Sequence, residues 1–141
     1  MGLAAELIVS AILLVIVTII HGTGLSLMDR LFRTEVRELA DLKLVQREFG
    51  VMVPMALCLM TLHIVEIFLF AAFYLATEDA SSVRDAIYHS AMAYTTMGVV
   101  EGGISKWTIV FVFEGLAGFL MIGWSSAVFV TDMERVLRRR R

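Results

Sequence analysis

The residues whose types and spacing could support binding or catalysis lie at positions 85–101, between two long apolar segments. This stretch includes a Thr-Thr-x-Gly turn formed by Thr95, Thr96, Met97 and Gly98. Threonine hydroxyls and backbone carbonyls in such a turn can replace part of the hydration shell of a cation. Glycine permits the backbone angles that direct a carbonyl toward an ion. The stretch therefore predicts coordination of a cation by oxygen atoms.

The predicted ion-binding segment covers residues 95–101 and ends with an acid. Val99 and Val100 follow the turn, and Glu101 adds a carboxylate at its outer end. A ring of carboxylates would concentrate cations and could hold a divalent ion. The expected ion is K⁺ or Na⁺, with Ca²⁺ as a further candidate. No resident cofactor, and no metal beyond these permeant cations, is expected.

A short helix must position this turn. Residues 78–82 supply acidic and hydroxyl side chains suited to a helix N-terminus, and a helix over residues 82–94 is predicted. Its length, roughly 20 Å, is too short to cross a bilayer, so it is expected to enter the membrane and stop partway. Non-helical backbone at that depth must be buried in protein or line a wet cavity. A ring of such loops from several subunits satisfies this requirement, and the partial negative charge at the helix C-terminus favours a cation.

The composition of the chain indicates an integral membrane protein. Of its 141 residues, 59% are hydrophobic, compared with roughly 45–50% in a soluble domain. Apolar segments at residues 3–28, 51–77 and 107–131 are each long enough to cross a bilayer. An all-α membrane protein with three transmembrane helices is therefore predicted.

Basic residues predict the orientation of these helices. They are frequent between the first and second spans and in the C-terminal tail, whereas the segment between the second and third spans has only Arg84 and Lys106. The positive-inside rule then places the N-terminus outside and the C-terminus in the cytoplasm of a multi-pass inner-membrane protein. The tail could contact anionic lipid or act only as a stop-transfer anchor. Its terminal basic residues are Arg138, Arg139, Arg140 and Arg141.

Ionisable residues inside the spans are costly and usually face protein or water. Glu114 is therefore expected behind the ion-binding segment, bonded to the short helix. His63 and Glu66 lie three residues apart on one helical face and are expected to make a polar contact between helices. Together with His21 and His89, they also leave open a site for haem or a transition metal in a membrane redox protein.

Three glycines of the third span could serve packing or gating. Gly115, Gly118 and Gly123 would let helices approach closely or bend. Gly118 is the candidate hinge of an inner gate.

Residues 86–98 resemble the pore helix and the first half of the selectivity filter of potassium channels. The similarity is strongest to small bacterial ion-channel proteins, which have Ala-x-Tyr-x-Ser followed by Thr-Thr-x-Gly-Tyr-Gly-Asp. Residues 62–74 are similar to the outer helix of that family, and residues 114–127, with Glu-Gly and Gly-Trp-Ser-Ser-Ala, to its inner helix. The resemblance covers about residues 55–130 and implies a homotetramer in the lipid bilayer.

The chain departs from the family pattern in the second half of the filter. Where the family has Tyr-Gly-Asp, this chain has Val99-Val100-Glu101. A β-branched residue does not readily take the positive φ that the second glycine would take. The outer ion sites are therefore expected to be reshaped, wider or absent.

The resemblance implies the following organisation of the chain. An extra N-terminal transmembrane helix covers residues 1–28, and an amphipathic cytoplasmic linker covers residues 29–49. A pore domain at residues 50–131 is followed by a basic cytoplasmic tail at residues 132–141. Within the pore domain, the outer helix covers residues 51–77 and the pore helix residues 82–94. The filter covers residues 95–101 and the inner helix residues 107–131.

The predicted function is conduction of monovalent cations through a tetrameric pore with an altered filter. The alternatives are a non-selective or divalent cation channel, a non-conducting pore-like regulatory subunit, and a haem- or metal-binding membrane protein. No catalytic motif for a serine hydrolase, a zinc protease or a phosphate loop occurs in the sequence. Cys58 lacks an adjacent base. We therefore expect neither enzymatic activity nor a nucleic-acid partner.

Overall fold

The computed structural model describes residues 2–38, 44–98 and 106–138. Within these ranges all regular secondary structure is helical, and the helices are α1 (Leu3–Glu38), α2 (Leu44–Ala76), α3 (Val83–Tyr94) and α4 (Thr108–Arg138). Helices α1, α2 and α4 are long and apolar enough to cross a membrane. The predicted class, an all-α protein with three candidate transmembrane helices, is confirmed.

The long helices extend further than the predicted segments. Helix α1 continues past Met28 to Glu38, α2 begins at Leu44, and α4 continues to Arg138. No glycine or proline occurs between Met28 and Glu38 to end α1 earlier. The described part of the predicted 29–49 linker therefore belongs to α1 and α2 and forms no separate helix. Residues 39–43 lie outside the described residues.

Two clusters of buried apolar side chains hold the long helices together. One contains Val17 of α1 with Phe70 of α2 and Val110 of α4. The other contains Leu25 of α1 and Met55 of α2. The residues between these clusters along α1 and α2 include polar side chains, so the apolar packing leaves a polar layer at mid-height. Helix α3 packs against α2 and α4.

Helix α1 also makes a polar contact with the beginning of α4. The backbone N–H of Ile109 donates to Glu6 Oε2 at 3.0 Å. The first N–H groups of a helix have no partner within that helix, so a carboxylate from another element can act as their cap. Glu6 therefore joins α1 to the N-terminus of α4.

Helix α3 begins with a capping arrangement of the predicted type. Ser82 is the N-cap, and its Oγ accepts from Asp85 N at 3.1 Å. In return, the Ser81 and Ser82 hydroxyls donate to the Asp85 carboxylate, each at 2.7 Å. The helix ends at Tyr94, the predicted residue, and starts one residue after the predicted start.

The glycines of α4 differ in their surroundings. A Cβ added to Gly118 would lie 2.0 Å from the carbonyl oxygen of Tyr94, and one added to Gly115 would lie 3.2 Å from that of Ala93. A Cβ at Gly123 would meet nothing within 4 Å. Gly115 and Gly118 therefore allow α4 to approach the end of α3, whereas Gly123 has no such role in the chain described. The hinge function of Gly118 stays a prediction.

The substitution Gly118→Ala tests this close approach. Because the new Cβ would overlap the Tyr94 carbonyl, α3 and α4 must separate, and we expect a loss of about 1–3 kcal/mol in the free energy of unfolding. Equilibrium unfolding in mixed micelles measures it. Gly123→Ala is the matched control and should leave stability unchanged or slightly raised, since alanine favours a helix. Equal effects of the two substitutions would contradict the packing role of Gly118.

The capping arrangement predicts a pH dependence at the start of α3. Hydrogen bonds from Ser81 and Ser82 hold the pKa of Asp85 below its usual value. The stabilisation is therefore complete above the ordinary carboxyl pKa and is lost as the pH falls through the lowered pKa. Hydrogen exchange of the first-turn amides of α3 should accelerate over that acidic window in the wild type. The same window should have no effect in Asp85→Asn; a response in that variant would assign the effect to another group.

Candidate functional site

The predicted ion-binding turn directly follows α3. Backbone N–H groups of Thr95, Thr96 and Gly98 donate to the carbonyls of Ala91, Ala93 and Met92, which closes the end of the helix. The Thr95 hydroxyl donates to the Ala91 carbonyl at 2.6 Å, so it is turned back toward α3.

Two residues of this turn have a left-handed backbone conformation. Thr96 has φ 58° and Gly98 has φ 78°. Glycine adopts this region freely, but a β-branched residue there is an outlier that the surrounding structure must enforce. Thr95, Thr96 and Met97 are exposed in the single chain. The remaining predicted filter residues, Val99, Val100 and Glu101, lie outside the described residues.

A buried polar cluster lies where α1, α2 and the end of α3 meet. His21 Nδ1 is 2.7 Å from Glu66 Oε1. The Tyr94 hydroxyl donates to Glu66 Oε2, and His63 Nδ1 is 2.8 Å from the Tyr94 hydroxyl. We call these four residues the His21–Glu66 cluster. It joins α1 and α2 to the residue that precedes the Thr-Thr turn.

Helix α4 completes the surroundings of this cluster. Ser125 Oγ is 3.3 Å from His21 Nε2, so both ring nitrogens of His21 have a partner. The ring of Trp124 lies 5.3 Å from the ring of His21, centroid to centroid. His21 and Glu66 are fully buried. A buried carboxylate is costly unless it is paired and hydrogen-bonded, and here both oxygens of Glu66 have partners.

Glu114 of α4 forms a second polar contact with α3. The Ser90 hydroxyl of α3 donates to Glu114 Oε1 at 2.5 Å, and the Tyr74 hydroxyl of α2 donates to Glu114 Oε2 at 2.7 Å. Glu114 is fully buried. The expected bond between Glu114 and the short helix is therefore present, and through it α3 is fixed to α4 and α2 at a second height.

His89 does not join the other histidines. Its ring packs against Tyr74 and Phe111, with centroids 4.6 and 4.7 Å away. Its Nε2 is buried and, within the described residues, has no hydrogen-bond partner. The structure thus brings His21, His63 and Glu66 together and separates His89 from them.

Several polar residues of these contacts were not singled out from the sequence. Tyr94 and Ser90 lie four residues apart on α3, a spacing that places both on one helical face. This spacing is the sequence feature that could have identified the two residues as polar contacts. Tyr74 and Ser125 offer no such feature, because a single hydroxyl in an apolar helix is common and its partner is distant along the chain.

An apolar groove of about 530 Å³ runs beside the turn, between α2 and α4. Tyr94 and Thr95 lie at one part of its wall, and His63 contributes a ring to it. The His63 side chain is 15% exposed, unlike the fully buried His21. The groove therefore gives the His21–Glu66 cluster a face that is accessible in the single chain.

The Tyr94 hydroxyl should contribute measurably to stability. Tyr94→Phe removes a donor from the buried Glu66 carboxylate and leaves His63 Nδ1 without its nearer partner. We expect a loss of about 1.5–3 kcal/mol in the free energy of unfolding, the range for hydrogen bonds to charged groups. Tyr88→Phe on the same helix is the control, because Tyr88 is 55% exposed. Unfolding in mixed micelles that gives equal stabilities for the two variants would refute this role of Tyr94.

Comparisons with protein-family models, with curated proteins and with solved structures gave no match for this chain. The geometry of the chain itself must therefore support any assignment of function.

Proposed function

We propose that several copies of this chain assemble around a common axis into a pore that conducts monovalent cations. The resemblance of residues 86–98 to potassium channels favours four copies. The observation that carries the proposal is the depth at which α3 ends.

The length and the contacts of helix α3 support the proposal that this helix enters the membrane only partway. It has 12 residues and is therefore about 18 Å long, too short to cross a bilayer. Its last residue, Tyr94, contacts Glu66 and His63. These lie near the middle of the candidate span Phe49–Ala76. The Thr-Thr turn would then lie at about the same depth, inside the hydrocarbon region.

The exposure of this turn in one chain supports assembly. Thr95, Thr96 and Met97 are exposed, and non-helical backbone at such a depth costs several kcal/mol for each unpaired polar group that faces lipid. Neighbouring copies around an axis would cover the turn on its sides and leave its oxygens facing water and ions. This requirement favours an oligomer with the turn on the axis.

The charge distribution at the turn favours a cation over an anion. The C-terminus of α3 carries partial negative charge. The left-handed conformations of Thr96 and Gly98, on either side of Met97, change the direction of the backbone along the turn, and a ring of carbonyl ligands for an ion requires such reoriented carbonyls. Thr96 also adds a hydroxyl, and the described residues show no bond from it to α3 of the kind that the Thr95 hydroxyl makes. The inner ion sites of the proposed pore lie here.

The proposed setting is the cell inner membrane, with the N-terminus outside and the C-terminus in the cytoplasm. In this orientation α3 enters from the outer side. Arg138, at the end of α4, would then lie on the cytoplasmic side, where anionic lipid headgroups attract basic residues. Residues 139–141 of the predicted lipid contact lie outside the described residues.

Reconstitution in planar bilayers tests the proposal directly. With K⁺ on one side and Na⁺ on the other, a current that reverses close to the K⁺ equilibrium potential is the expected result for a selective pore. A clear current that reverses near zero would favour the non-selective or divalent alternative. No current from protein of confirmed tetrameric mass, at several voltages and pH values, would refute conduction and favour the regulatory-subunit alternative.

The Thr96 hydroxyl provides a specific test of the ion site. Thr96→Val keeps the β-branched shape but removes an oxygen ligand, so we expect a several-fold fall in single-channel conductance or a shift of the reversal potential. Thr61→Val is the matched control, since the Thr61 hydroxyl is exposed on α2 and donates to the Leu57 carbonyl of its own helix. Unchanged conduction in Thr96→Val would exclude the hydroxyl as a ligand.

A further inference from the structure

We propose that the His21–Glu66 cluster is a binding site for a borderline divalent transition-metal ion of the Zn²⁺ type. The ligands would be His21, His63 and Glu66. This site is distinct from the turn where permeant ions are proposed to bind. It takes up the transition-metal alternative that the sequence left open, in place of the expectation of no metal other than permeant cations.

The ligand atoms are close enough to share one ion. One ligand atom from each of His21, His63 and Glu66 forms a set of three atoms that all lie within 4.8 Å of one another. Nδ1 of His21 is 2.7 Å from Glu66 Oε1, and Nδ1 of His63 is 3.4 Å from Glu66 Oε2. Because metal–nitrogen bonds of about 2.0–2.1 Å hold two ligands roughly 3.5 Å apart, small side-chain shifts suffice for an ion to enter between them.

The chemistry of the donor set fits Zn²⁺ better than the alkali or alkaline-earth cations. Imidazole nitrogens suit zinc and its neighbours in the transition series, whereas Ca²⁺ and Mg²⁺ prefer sites built from oxygen. Two histidines and one glutamate form a three-ligand zinc site that leaves a fourth position open. A divalent ion would also oppose the charge of a carboxylate that is fully buried.

The surroundings supply outer partners for two of the three proposed ligands, His21 and Glu66. Ser125 Oγ lies 3.3 Å from His21 Nε2. When Nδ1 of His21 binds a metal, the imidazole proton moves to Nε2 and is donated to Ser125, so the ring remains neutral. Tyr94 donates to Glu66 Oε2 and thereby orients the carboxylate. Such outer partners fix the tautomer and orientation of the ligands.

The edge of the site at His63 is open to the apolar groove. His63 lines the groove and is 15% exposed, while the other two ligands are fully buried. The His63 ring is therefore the part of the cluster that an ion can reach first. Ligand type, closeness, outer partners for His21 and Glu66, and one accessible ligand are therefore present among the described residues.

Cobalt binding to the purified full chain in detergent tests this inference without any measurement of conduction. Co²⁺ in a tetrahedral site has intense visible d–d absorption, and Zn²⁺ should displace it. Trp124 reports on the same site, because its ring lies 5.3 Å from that of His21. In a Trp107→Phe background, where Trp124 is the remaining tryptophan, Co²⁺ should quench its fluorescence and a chelator should restore it.

Variants decide which residues bind the ion. His21→Ala and His63→Ala should each abolish the cobalt absorption, whereas His89→Ala, which removes the histidine outside the cluster, should leave it unchanged. Ser125→Ala should weaken cobalt affinity by about 10- to 100-fold, the usual cost of losing an outer partner. Absent absorption in the wild type, or equal absorption after loss of His21 and His63 together, would overturn the inference.

A gain-of-signal variant covers the case in which an alanine variant does not fold. His63→Cys keeps a ligand at this position and should add a thiolate-to-cobalt charge-transfer band in the near ultraviolet. It is made with Cys58→Ser, because Cys58 is exposed and could bind cobalt elsewhere. A folded His63→Cys protein that binds cobalt without this band would rule out position 63 as a ligand. A chain that binds cobalt without conducting ions would contradict the pore proposal alone. A chain that conducts ions without binding cobalt would contradict the metal-site proposal alone.

Discussion

The buried carboxylate of Glu66 is the group around which the described helices are arranged. An ionisable side chain in an apolar bundle must find hydrogen-bond partners within the protein, because lipid offers none. Its partners come from α1 through His21 and from α3 through Tyr94. These two contacts fix the relative heights of α1, α2 and α3, which apolar packing alone would constrain only weakly, since one apolar side chain can replace another along a helix surface.

The position of the Thr-Thr turn follows from this arrangement. Tyr94 is bonded at its hydroxyl to Glu66, and its carbonyl lies against Gly118 of α4. Ser90, one helical turn earlier, is bonded to Glu114. Helix α3 is thus held at two heights and on two sides before the chain turns at Thr95. Such support is what a strained backbone needs, and Thr96 with its positive φ is strained.

The sequence predicted the helical class, the three candidate spans and both ends of α3 to within one residue. These features depend on hydrophobic length and on local capping, which are readable from neighbouring residues. It also predicted that Glu114 contacts the short helix. It did not predict the contact of His21 with Glu66, because the partners are 45 residues apart and either could have faced another helix. The continuation of α1 to Glu38 was missed because the charged residues after Met28 were assigned to a separate amphipathic linker, whereas no glycine or proline there ends the helix.

The contacts of α1 with α4 have a consequence for biosynthesis. Glu6 is bonded to Ile109, 103 residues later, and His21 to Ser125, 104 residues later. Helix α1 leaves the ribosome before α4, yet these polar groups find their partners only when α4 has been made. Until then a half-made chain in the membrane must keep Glu6 and His21 near water, near the insertion machinery or against α2. Completion of the bundle is therefore tied to the synthesis of α4, and a chain that stops before α4 lacks the partner of Glu6 and one of the two partners of His21.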